Sequence, residues 1–173
     1  KLKWELNLVG SALDIKAISL KKHLLIGTDE GKVYLLDQVS GKIISTYHDH
    51  NAPISCITLD GKEENFVSCG LDGKVVSRNL AYKDPSWILE TQDYEGDIEY
   101  LEYSTDSKKL LGSGTFSSVI LIDSTNGASK TVFSREKGVA LKAKWLPDKN
   151  YFCILNGNGI LSFVEAKSGA LYK

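Results

Sequence analysis

Apolar and polar positions alternate along this chain in short runs, and the runs come in sets. Residues 27–46, GTDEGKVYLLDQVSGKIIST, show the pattern most cleanly. Asp29, Glu30 and Gly31 predict a tight turn, with the glycine free to take positive φ. Residues 32–36 predict a strand. Asp37 and Gly41 bracket a five-residue turn, in which the Asp bonds backbone N–H groups ahead of it and the Gly supplies the left-handed position. Residues 42–47 predict the next strand. Before this stretch, residues 15–20 alternate like a first strand, and HLLIGT at 23–28 reads as a second strand buried on both faces. Residues 9–12 predict a connection of small residues, and 1–7, with Trp4 and Leu6, a half-buried strand.

The set then returns three times. Strands are predicted at 54–59, 65–70, 74–79 and 87–91, with an irregular turn, AYKDPS at 81–86, before the last of them. They follow at 98–103, 109–114, 118–122 and 129–133, and again at 139–146, 151–156, 160–164 and 170–173. The turn residues Gly31, Gly73, Ser117 and Gly159 stand 42, 44 and 42 residues apart. The outgoing Gly41, Gly127 and Gly169 stand 86 and 42 apart, which is two periods and one. A period near 42 with four short strands per unit is the signature of propeller blades. An immunoglobulin-like sandwich has short strands without that period. The expected fold is therefore all-β, a β-propeller with blades of four antiparallel strands. The expected units are 13–53, 54–97, 98–138 and 139–173, with 1–9 an outer strand of a neighbouring or closing blade. Four blades are few for such a ring, so the segment is expected to belong to a ring of roughly six to eight. A first residue Lys1 and the lack of any Met point the same way, to a piece of a longer chain.

Composition narrows the function classes. With 21 Lys plus Arg against 22 Asp plus Glu, the net charge is −1, which argues against a broad electrostatic footprint for nucleic acid. No apolar run approaches the ~18 residues of a membrane span. Cys56, Cys69 and Cys153 are an odd set, none spaced as C-x-x-C, and each sits in an apolar strand-like run. They read as small buried hydrophobes in a reducing compartment.

The repeats carry a family resemblance. Ser68-Cys69-Gly70-Leu71-Asp72-Gly73-Lys74-Val75 resembles the S-x-G-x-D-G-x-V segment of WD40 repeats, and Asp37 and Asp123 match the Asp of that family's closing Trp-Asp pair. Leu36, Arg78, Ile122 and Val164 stand where the family has Trp. Asp72 holds the family's turn Asp, while Glu30, Phe116 and Asn158 occupy the equivalent places. Residues 31–42, read as G-x-V-Y-x-L-D-x-x-x-G-K, also look like a quinoprotein-type repeat. The WD40 resemblance implies a non-catalytic interaction platform in a multiprotein complex, cytoplasmic or nuclear. The quinoprotein resemblance implies a cofactor enzyme fragment or an assembly factor.

Candidate chemistry is sparse. His48-Asp49-His50 is the one cluster that suggests a metal, but no third ligand is visible, and a loop with capping bonds suits it better. Gly157-Asn158-Gly159 lacks the G-K-[ST] ending of a phosphate loop and reads as a β-turn. Ser117-Ser118 has no acid or His in a triad-like order. The lysine pairs at 21–22, 108–109 and 142/144 read as solvated loop and edge charges. No catalytic residue, cofactor, metal or nucleic-acid site is therefore expected. Partner contacts are expected in loops: Asp29 and Glu30, His48 and His50, Asp72, and Tyr94 in the acidic loop 92–97. Tyr82 and Trp87 flank the irregular turn, and Arg78 stands in a normally aromatic position. For Trp87 and Arg78 a second reading is packing on their own sheet.

Overall fold

A computed structural model describes residues 4–91, 97–114, 118–133, 140–148 and 150–171. The described residues form four antiparallel sheets and no helix. The first sheet holds β1 (Ala12–Ile18), β2 (His23–Thr28), β3 (Val33–Asp37) and β4 (Ile43–Tyr47) in that order. The second holds β5 (Ile54–Leu59), β6 (Asn65–Gly70), β7 (Lys74–Asn79) and β8 (Trp87–Glu90). The third holds β9 (Tyr100–Tyr103), β10 (Lys109–Ser113), β11 (Val119–Asp123) and β12 (Ser129–Phe133). The fourth holds β13 (Ala140–Trp145), β14 (Tyr151–Asn156) and β15 (Leu161–Glu165), with one further bridge from Val164 to Leu171. These are propeller blades.

Local chemistry explains the turns. Gly31, Gly73 and Gly159 have φ of +73°, +73° and +80°, and their N–H groups bond the carbonyls of Thr28, Gly70 and Asn156. The outgoing turns close in the same way, from Gly41 to Asp37, Gly127 to Asp123 and Gly169 to Glu165. The Asp37 carboxylate also accepts the Ser40 hydroxyl and the N–H groups of Val39 and Ser40, and these bonds hold it below the ordinary carboxylate range. Thr125 does the same for Asp123.

Each sheet presents apolar residues on both faces, so each must be covered twice. Leu25, Val33, Leu35 and Tyr47 of the first blade pack on Ile54, Ile57 and Phe66 of the second. Val67, Cys69 and Val75 then pack on Leu101, Leu110, Ile120 and Ile122 of the third. Leu111, Val119 and Leu121 pack on Ala143, Phe152, Ile154 and Val164 of the fourth. The first strands of consecutive blades touch one another at the inner edge, which leaves β4, β8 and β12 outermost. Polar stitches run between blades: Asp14 accepts the Ile57 N–H at 2.7 Å, and Glu102 accepts the Trp145 N–H at 2.9 Å.

Some elements differ from expectation. The first strand begins at Ala12 rather than Ile15, and Leu20 lies in the turn after it, 78% exposed. Alternation places Leu20 in the strand, but the pairing of Ile18 with His23 closes the ladder two residues earlier. Residues 4–8 form no strand. They still cover the outer face of blade one, with Leu6 and Leu8 against Ile26, Tyr34 and Leu36. The predicted strand at 170–173 is reduced to the Leu171 bridge within the described residues.

Two glycines test the packing separately from the backbone. A Cβ on Gly127 would meet the Trp87 ring at 2.8 Å, whereas one on Gly159 would meet nothing within 4 Å. Both have similar positive φ. Gly159→Ala should cost about 1 kcal/mol of backbone strain. Gly127→Ala should cost that plus roughly 1–3 kcal/mol of overpacking. Denaturant midpoints of the two variants measure the difference; equal costs would show that the ring does not press on the turn.

Candidate functional site

The outer edge of the propeller carries a repeated clasp. Trp4 lies over Gly41, 2.7 Å from where a Cβ would stand, and its indole N–H donates to the Gln38 carbonyl at 3.0 Å. Trp87, on the outermost strand of blade two, lies over Gly127 of blade three in the same manner. Its indole N–H donates to the Ser124 carbonyl at 2.9 Å. Gln38 and Ser124 each follow the Asp that opens an outgoing turn, so the two clasps use equivalent atoms.

Between blades one and two the clasp is missing. Trp87 pairs with Ser77, four residues after Gly73; the matching residue of blade one, Leu35, pairs with Ser45. Serine thus stands where the indole would be. The short D-x-x-x-G turn is also replaced by the longer AYKDPS. A groove of about 560 Å³ opens there, lined by residues 45–49 on one wall and Arg78 and residues 80–84 on the other.

Arg78 ties the two walls together. Its guanidinium makes a forked pair with both carboxylate oxygens of Asp49 and donates to the Lys83 carbonyl. It also lies 4.8 Å from the centroid of the Tyr47 ring. Burial pushes the Tyr47 hydroxyl above its ordinary pKa, so the ring stays neutral beneath the cation. Leu36, Ile122 and Val164, the counterparts of Arg78 in the other blades, are fully buried apolar residues. Arg78 is 6% exposed, so its charge requires a partner; Asp49 supplies it.

A second polar network closes the other end of blade two. Asp72 lies 2.9 Å from His50 Nδ1, and Ser68 Oγ lies 3.0 Å from Nε2. With the proton on Nδ1, the imidazole donates to the carboxylate and accepts from the serine. Asp72 also accepts the Asn51 N–H at 2.9 Å. Burial pushes the Asp72 carboxyl up, but these hydrogen bonds outweigh it, and the net displacement is downward. The order Ser–His–Asp resembles a hydrolase triad, but Ser68 is 1% exposed and no substrate reaches it.

The predicted contact residues therefore separate. His48, Arg78 and Tyr82 line one groove, with Tyr82 70% exposed at its rim. Glu30 is exposed and Asp29 is half-buried, its carboxylate capping the Ser11 N–H at 2.7 Å. His50 and Trp87 are both buried and bonded within the propeller. Asp72 is committed to His50 and Asn51. Tyr94 lies outside the described residues. The His48-Asp49-His50 run splits three ways, into the groove, onto Arg78 and into the interior. Among the described residues no three His, Cys, Asp or Glu side chains are placed to hold a metal. Sequence reasoning places Asp49 only in the His48-Asp49-His50 cluster and Ser68 only in the WD40-like segment, and does not single out Tyr47.

Two variants test these networks. Asp49→Ala leaves a buried guanidinium unpaired and should cost about 3–5 kcal/mol, while Asp49→Leu with Arg78→Met should recover most of that. Chemical denaturation of the single and double variants checks it; equal losses would mean that the pair is not coupled. Asp72→Asn should lower the melting midpoint at pH 7. The carboxyl is depressed in the fold, so its contribution is complete above its unfolded pKa of about 3.9 and is lost as pH falls through the folded value. The gap between variant and parent should therefore shrink in thermal melts near pH 3.

Comparison with known proteins agrees with this architecture. The chain is 25% identical over 131 residues to vacuolar protein sorting-associated protein 41 of Schizosaccharomyces pombe, covering 72% of this chain and 14% of that protein. It is 20% identical over 161 residues to the protein ROOT INITIATION DEFECTIVE 3 of Arabidopsis thaliana, covering 91% of this chain and 37% of that one. The chain thus spans well under half the length of either relative. The fold superposes on the crystal structure of the Cps50 (Swd1) β-propeller domain of Myceliophteria thermophila with a TM-score of 0.84 and 12% identity, over 95% of this chain and 57% of that one. The family model of the Vps41 β-propeller, described as the Vps42 beta-propeller, matches residues 15–168. The chain belongs to the Vps41 β-propeller family.

Proposed function

We propose that this propeller is a non-catalytic protein–protein interaction platform within a multiprotein complex, and that a partner engages it at the groove between blades one and two. The observation that carries this reading is the groove itself. It lies where the repeat is broken, it presents an aromatic side chain largely free of packing, and its walls are joined by a buried ion pair. Exposed aromatics beside a desolvated Arg suit a protein partner. Glu30 and the turn it belongs to offer a secondary contact at the other rim.

The inner edge supports a platform rather than a cofactor enzyme. A cofactor site on the axis would use free carboxylates, but Asp14 lies 3.4 Å from Lys16 and Glu102 lies 2.8 Å from Lys144. The buried Ser68 supports the same reading. The free Cys56, Cys69 and Cys153 support placing the platform in a reducing compartment, the cytoplasm or nucleus. No helix among the described residues is long and apolar enough to cross a membrane.

A photo-crosslinking amino acid in place of Tyr82 tests the platform in cells. Discrete adducts from that position, absent when the crosslinker replaces the equally exposed Leu20, are expected. No adduct, or the same ladder from both positions, would overturn it.

A further inference from the structure

The groove invites comparison with its own counterparts in the chain. At two outgoing turns, those of blades one and three, the space outside is filled by an indole whose N–H bonds the carbonyl that follows the turn-opening residue. At the turn of blade four the counterpart of Trp87 is Lys130, whose ammonium donates to the Lys167 carbonyl. The blade-two turn keeps the same register. Leu80 donates its N–H to the Glu64 carbonyl at 2.9 Å, as Gln38 does to Lys22 at 2.8 Å and Ser124 does to Lys108 at 3.1 Å. Leu80 is therefore the counterpart of Gln38 and Ser124. Those two carbonyls accept an indole N–H, whereas among the described residues no hydrogen bond reaches the Leu80 carbonyl. The residue that would supply the indole from within is Ser45.

Charge narrows the occupant further. Arg78 and Asp49 neutralise each other at the floor of the groove, and the Lys83 carbonyl is already bonded to Arg78. Deep in the groove a charged ligand would find no unspent opposite charge and would lose its hydration on entering, because the unpaired charges, Lys83 and Asp84, are exposed at the rim. A flat, neutral side chain with a single N–H donor loses little water. It gains the aliphatic and aromatic walls of Leu80, Ala81 and Tyr82, and the backbone of that wall carries the Leu80 carbonyl as an acceptor. The groove volume of about 560 Å³ is in the range of ordinary ligand pockets and exceeds what one ring needs, so it admits the ring together with its flanking backbone.

We propose that the groove between blades one and two is an unfilled indole clasp, and that its occupant is a partner-protein segment that inserts a tryptophan side chain, with the indole N–H donating to the Leu80 carbonyl. This rests on the platform reading above and adds the chemistry of the partner. Lys83 and Asp84, exposed at the rim with opposite charges, then meet the residues that flank the inserted tryptophan and set register more than affinity. The partner supplies in trans the side chain that Trp4 and Trp87 supply in cis.

The probe is N-acetyl-tryptophanamide, titrated into the 15N-labelled protein with N-acetyl-leucinamide as the comparison. Saturable shifts confined to residues 45–49 and 78–84 are expected with the tryptophan amide only. Ser45→Trp, which supplies the missing ring from the blade itself, should weaken the probe at least about tenfold. Because Ser45→Trp could disturb β4, Tyr82→Ala at the exposed rim serves as a second variant and should also weaken binding. Equal shifts with the leucine amide, shifts elsewhere, or undiminished binding in both variants would overturn the proposal. Crosslinked adducts at Tyr82 without tryptophan-amide binding would sink the indole assignment and leave the platform standing. Binding of the tryptophan amide without any cellular adduct would keep the clasp and sink the platform.

Discussion

Everything in this fold depends on one constraint: a four-stranded sheet that is apolar on both faces must be sandwiched between two others. Phe66 and Phe152 have no exposed surface, and each is buried by residues of the preceding blade. No blade has a core of its own. The cores lie between blades, so the repeat is a structural necessity and the choice of residue on each face is coupled to the next unit. Leu155, Leu161 and Phe163, on the far face of the fourth sheet, are substantially exposed for the same reason: no described element packs on them.

Because the interior is so strongly specified, the outer edge is where copies can differ at small cost. The Trp4 and Trp87 clasps show one way the edge is closed: an indole covers an outgoing turn, from the segment ahead of blade one and from the outer strand of blade two. Losing the indole at Ser45 and lengthening the following turn would leave the two walls loosely held. Arg78 compensates by joining Asp49, Tyr47 and the Lys83 carbonyl in one buried cluster. The groove is thus a consequence of two coordinated departures from the repeat, and its rigidity comes from the ion pair rather than from packing.

Much of this was legible in the sequence, because turn chemistry is local. Gly31, Gly73 and Gly159 mark positive-φ turns, and Asp37 with Gly41 marks a closing turn, from residues within five positions of one another. The WD40 resemblance of residues 68–75 is matched by a β-propeller of the Vps41 family. What local pattern did not carry was which polar and aromatic residues turn inward. His50 finds Asp72 22 residues later, Trp87 finds Ser124 37 residues later, and Arg78 reaches back 29 residues to Asp49. Such separations are set by blade packing and leave no periodic trace. Arg78 was noticeable as a charge in an aromatic position. A buried guanidinium needs a carboxylate, and in the sequence Asp49, between two histidines, reads only as part of a metal cluster. Residues 4–8 misled in the opposite sense: their alternation suggested a strand, and they pack as a cover without a ladder.

The central claim is that partners are gripped at the broken clasp rather than at the turns of the opposite rim. Hydrogen–deuterium exchange on the protein with and without a bound partner measures this most directly. The account predicts that amides of residues 45–49 and 80–84 slow together on binding. Slowing confined to the turns at residues 29–31 and 70–73, with both groove walls unchanged, would contradict it.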